Sequence, residues 1–83
     1  MTGASTNGQQ TLSAVRPGQS AIIVGIDGSD ARVRRLHDLG LVPGTRIRAV
    51  RRAPLGCPLE IVVRGMHLSL RLAEAGRIHV KPV

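Results

Sequence analysis

The sequence predicts a mainly β fold: about five short antiparallel strands, one inserted α-helix and a short helical turn before the last strand. Two observations carry this. Aliphatic and polar residues alternate through Thr45–Arg52, Leu59–Arg64 and Met66–Arg71, as strands with one buried face require. Glycine and proline interrupt these runs at Pro17-Gly18, Pro43-Gly44 and Arg64-Gly65, where the chain must turn. At 83 residues there is room for one domain, and Phe, Trp and Tyr are all absent, so the core must be aliphatic. A core of this size supplies only about 3–5 kcal/mol of net stability.

Met1 to Thr11 carries no ionisable side chain and is too polar to offset the entropy of ordering it, so residues 1–11 read as a disordered tail and 12–83 as the domain. Leu12 and Val15 are the first apolar anchors. Ala21–Ile26 is the first strand, with Gly25 expected at a bulge or a close approach. Asp27-Gly28-Ser29-Asp30 is turn chemistry, and Ser29 or Asp30 can cap a helix starting near Ala31. That helix should run to about Leu39, where Gly40 can end it and Pro43 cannot continue it. Val33, Leu36 and Leu39 share one stripe, Arg34 and Asp38 form an i,i+4 pair on the opposite face, and Arg32 falls inside the stripe, where its stem must snorkel outward or reach a partner.

In the second strand Ile47 and Ala49 face inward, with Arg46, Arg48 and Arg52 outward. In the third, Ile61 and Val63 face inward and Glu60 outward. After a hairpin turn at Arg64-Gly65, Met66, Leu68 and Leu70 face inward while His67, Ser69 and Arg71 face out. Leu72–Arg77 suits a single helical turn, and Ile78–Val80 closes the set. Five strands with a helix after the first is the plan of a small SH3-like barrel. Periodicity alone also admits an OB-like barrel or an open meander.

The net charge of +7, with eleven arginines and one lysine, favours an acidic protein surface, nucleic acid or anionic lipid. The arginines are spread over every element, which suits solvation of the barrel as well as bidentate pairing with carboxylates or phosphates. Without aromatic rings or a compact basic stripe, nucleic acid is the weaker reading. One cysteine allows no internal disulfide and cannot by itself hold a structural zinc. No signal peptide or membrane-spanning run is evident in the sequence, so a soluble, cytoplasmic protein is expected.

No constellation suits catalysis. Cys57 lies between Gly56 and Pro58, and His37, His67 and His79 fall on separate elements, so neither a nucleophile–base pair nor a close-spaced metal-ligand pair is visible. Weak binding of a transition metal ion at these residues is the open alternative. Asp27 and Asp30 lack the remaining ligands of a calcium loop, and Gly25 and Gly28 lack the ending of a P-loop. The expectation is a non-enzyme with no cofactor and no small-molecule substrate. Leu55, in the loop Pro54-Leu55-Gly56, is the apolar residue that the strand pattern cannot place. Either it plugs one barrel end or, with Leu36 and Leu39, it forms an exposed anchor for a partner.

Several separated cues, in order, resemble the ferrous iron transport protein A (FeoA) family. They are Leu12 with Pro17-Gly18, Leu36-x-x-Leu39-Gly40-Leu41-x-Pro43-Gly44, Ala53-Pro54-x-Gly56-x-Pro58, and Leu70-Arg71 followed by Glu74-Ala75-x-x-Ile78-x-Val80. The resemblance implies an SH3-like accessory protein of bacterial ferrous iron uptake. Its partner would be a FeoB-type permease with a cytoplasmic GTPase domain, and it would meet the membrane only through that partner. The docking surface expected on this basis comprises Arg32, Arg35, Leu36, Leu39, Pro54 and Leu55. Cys57 departs from the family pattern, which commonly has aspartate there. The alternative is a basic nucleic-acid-binding or metal-responsive regulator module, although the chain has no helix-turn-helix portion.

Overall fold

The computed structural model describes residues 10–54 and 57–83. Strand β1 (Gln10–Thr11) leads through a 3₁₀ turn at Leu12–Ala14 into β2 (Ser20–Ile26), followed by helix α1 (Ala31–Asp38). Then come β3 (Arg46–Arg52), β4 (Leu59–Val63), β5 (Met66–Leu70), helix α2 (Leu72–Ala75) and β6 (Ile78–Pro82). The strands form one antiparallel sheet in the order β1-β6-β2-β3-β4-β5. Among the described residues there are six strands rather than five, because Gln10 and Thr11, expected in the tail, pair with Val80 and His79. The rest of the expected tail, residues 1–9, lies outside the described residues.

The alternation places the core as expected. Ala21 and Ile23 of β2, Ile47 and Ala49 of β3, Leu59, Ile61 and Val63 of β4, and Ile78 and Val80 of β6 are all buried in one cluster. Leu12, Val15, Leu41, Leu70 and Ala75 close its ends, and Leu36 reaches it from α1. Large-to-small changes at such positions typically cost about 2–5 kcal/mol, the same size as the stability of so small a domain.

Two bulges interrupt the sheet among the described residues. One lies where Gly25 suggested it: the β2–β6 register shifts between Ile23 and Gly25, leaving Val24 as the extra, exposed residue. The other was not expected. Between Ala49 and Arg51 the β3–β4 register shifts, leaving Val50 as the extra residue, so that Arg52 stands opposite buried Leu59. Arg52 therefore faces inward, against the period-two reading. Its guanidinium donates to the carbonyls of Ser13 and Val15, the latter at 2.9 Å, and ties β3 to the 3₁₀ turn.

Met66 also departs from expectation: it faces the inner side of β5 yet is 47 % exposed, because β5 is the last strand and nothing among the described residues covers that end. At the hairpin, Arg64 and Gly65 both take positive φ, 52° and 79°, as a primed two-residue turn demands. Helix α1 ends at Leu39 and Gly40, whose φ is 101°. Arg34 and Asp38 share its exposed face without forming an ion pair.

Candidate docking cleft

Helix α1 is oriented from both ends. Asp30 caps it, its carboxylate accepting from the Val33 amide at 3.3 Å, and Val33 and Leu36 bury its inner stripe. The same carboxylate receives a two-pronged contact from Arg77, Nη1 to Oδ2 at 3.3 Å and Nη2 to Oδ1 at 3.1 Å. Arg77 also donates to the Asp27 carbonyl, from Nε at 3.1 Å and Nη2 at 2.9 Å. The Arg77 hydrogen bond foremost, and the Val33 amide next, hold the Asp30 carboxyl below its ordinary value. Gly28 makes room for this clamp: its φ is +97°, and a Cβ there would collide with Arg77 Nη2. His79 Nε2 lies 2.9 Å from an Asp27 carboxylate oxygen at the rim of the cluster.

Helix α2 is short and fixed locally. The Glu74 carboxylate accepts from the Arg71 amide at 3.1 Å, and the Cys57 Sγ lies 3.5 Å from the Leu72 amide nitrogen, which donates to it. Between α1 and α2 runs an open cleft of ≈ 630 Å³, lined by Asp30, Ala31, Arg32, Arg35, Arg71 and Glu74. It continues into a narrower groove of ≈ 240 Å³ between α1 and the end of β5, with Leu36, Leu39, Ser69 and Leu70 joining Arg35, Arg71 and Glu74 on its walls. The volume would suit a small ligand, but the walls are charged and open where such pockets are enclosed and mostly apolar. Asp30 is already engaged by Arg77, so three arginines and one remaining carboxylate line the cleft. The balance suits an acidic surface.

Of the residues expected to dock a partner, Arg32, Arg35, Leu36 and Leu39 meet here. Arg32 is exposed on the cleft wall rather than folded along the barrel. Leu36 is only 2 % exposed and belongs to the core, so it forms the floor and is not a free anchor. Pro54 is exposed on the β3–β4 loop and is not among the lining residues. Leu55 lies outside the described residues. Sequence reasoning missed Arg71 and Glu74: Arg71-x-x-Glu74 lacks the Ser, Thr, Asp or Asn that opens a recognisable helix-start pattern. It also missed Arg77 on Asp30, a contact across 47 residues with no local signal.

Among the described residues, no group of three or more His, Cys, Asp or Glu side chains could hold a metal ion. No helix there is long and apolar enough to cross a membrane.

The FeoA domain model matches residues 10–82. A Fe(2+) transport protein A/Fe(2+) transporter FeoB fusion protein of Porphyromonas gingivalis is 33 % identical over 70 residues, 84 % of this chain but 8 % of that protein. The solution structure of a FeoA protein from Chlorobium tepidum superposes with a TM-score of 0.83 at 39 % identity, covering 89 % of this chain and 70 % of that one. Zinc-complexed FeoA from Stenotrophomonas maltophilia, a procaryotic SH3 domain protein, gives a TM-score of 0.77 at 36 % identity, with 87 % and 89 % covered. The SH3-like fold expected from the strand plan is therefore the fold found. A manganese-dependent transcriptional repressor, at 21 % identity and a TM-score of 0.82, shares the fold alone.

Proposed function

We propose, from the premise that this chain belongs to the FeoA domain family, that it is a cytoplasmic accessory protein of ferrous iron uptake. It binds a FeoB-type transporter and supports its assembly or activity. The observation that carries this is the fusion: a FeoA-like segment 33 % identical to this chain is joined covalently to FeoB in one relative. A tether that keeps two modules at high effective concentration is useful where they work in contact. In this reading ferrous iron is the cargo of the transporter, and GTP is bound by the transporter and not by this chain. The accessory protein itself performs no reaction.

The contact is assigned to the cleft between α1 and α2. Arg32, Arg35 and Arg71 supply the charge and half-buried Leu39 the apolar contact. Co-purification with the FeoB-type transporter tests it. The double charge reversal Arg32→Glu/Arg35→Glu, at exposed positions that leave the core intact, should abolish capture at physiological salt. Undiminished capture by that variant would remove the cleft as the docking site.

A further inference from the structure

We propose that the free edge of β5 accepts an extended, acidic segment of the partner as an added strand. The proposal rests on the docking reading above and specifies how the partner is held. Strand β5 ends the sheet, and its two-residue hairpin turn fixes which backbone groups point away from β4. Val63 and Met66 close the hairpin as a hydrogen-bonded pair, so Met66, Leu68 and Leu70 turn their N–H and C=O groups toward β4. His67 and Ser69 turn theirs outward. No backbone hydrogen bond from a turn, loop or cap reaches either residue among the described ones.

Exposed edges are normally blunted by shortness, bulges, proline or lysine. The opposite edge, β1, is two residues long. By contrast β5 pairs in unbroken register over five residues and contains neither proline nor lysine. Its inner side is also incomplete, since Met66 is exposed and Leu68 only partly buried. The groove beside it leads to Arg35 and Arg71, neither of which is in an ion pair among the described residues. An incoming strand would pair the outward groups of His67 and Ser69, cover Met66, and bring carboxylates to the two guanidinium groups. A second copy of this chain fits poorly, because each carries +7 and would present the same arginines.

The probe is a synthetic peptide of alternating valine and glutamate, compared with the same peptide N-methylated at alternate amides. The parent peptide should bind the full chain and slow amide exchange at His67 and Ser69, and N-methylation should weaken it by roughly tenfold or more. Ser69→Pro removes one outward N–H without breaking a ladder bond, so it should match that loss while Ser69→Ala does not. No peptide binding, or equal binding of the methylated form, overturns strand addition even if Ser69→Pro fails to fold. Capture of the FeoB-type transporter separates the two readings. Capture unaffected by a folded Ser69→Pro overturns strand addition and leaves the cleft standing, whereas no capture by the unmodified chain removes the docking reading itself.

Discussion

Replacing Arg52 by alanine should destabilise the domain far more than the same change at Arg51, although plain alternation puts Arg52 on the outer face. The bulge at Val50 turns Arg52 inward opposite Leu59, where it donates to two carbonyls of the 3₁₀ segment, while Arg51 stays exposed. Hydrogen bonds from a charged group contribute about 1.5–3 kcal/mol each when buried. Arg52 is only partly buried and water can replace it at those carbonyls, so about 2–3 kcal/mol for the pair is the discounted figure. That is a large share of the roughly 3–5 kcal/mol available, and at 4–8 °C per kcal/mol it lowers Tm by roughly 8–24 °C. Arg51→Ala should stay within about 0.5 kcal/mol. With no Trp, Tyr or Phe there is no intrinsic fluorescence to follow, so far-UV circular dichroism during thermal and urea unfolding is the assay. Equal losses at the two positions would mean that the bulge does not redirect Arg52.

Gly28→Ala should cost about 1–2 kcal/mol for the positive φ alone and also displace Arg77, so its effect and that of Arg77→Gln should be strongly non-additive in a double-mutant cycle. Because the Asp30 carboxyl is held below its ordinary value of 3.8, chiefly by Arg77, the resulting stabilisation is full above that value and is lost as pH falls through the lower folded-state value. Urea midpoints below pH 4 should therefore drop less steeply in Arg77→Gln than in the unmodified protein. Leu36→Asp should unfold the domain, since it buries a charge in the core, whereas Leu39→Asp should keep the fold and weaken transporter capture; the reverse pattern would contradict the assignment of floor and wall.

The core was legible because it needs only a local rule: period-two alternation put Ile47, Ala49, Ile61 and Val63 inward, and all are buried. Gly25 and Gly40 were legible for a similar reason, since a glycine inside a strand pattern suggests a bulge and one just after a helical stripe suggests its end. Three features were not legible. β1 is held by backbone pairing to β6, which imposes no pattern on the side chains of Gln10 and Thr11. The bulge at Val50 carries no glycine, and one inserted residue inverts every later side chain of the strand, which is why Arg52 was placed on the wrong face. The cleft joins α1 to α2 across more than thirty residues, so Arg32 and Arg35 were found on helix periodicity while Arg71 and Glu74, on the other wall, were not.

Met66 failed for a different reason. Alternation gives the face a side chain points to, but burial also needs something to cover that face, and cover depends on sheet order. In this chain the order ends at β5. Sequence-level rules and the folded structure agree over most of the barrel. Here the half-buried Leu39, the outward backbone groups of Ser69 and two arginines that are in no ion pair among the described residues, Arg35 and Arg71, border the same groove. Each alone would be an ordinary surface irregularity. Together they describe a site already shaped before a partner arrives, because the Asp30–Arg77 clamp fixes α1 and the β4 ladder fixes β5. Binding there needs little reordering of this chain, so its ordering cost falls mainly on the partner's segment.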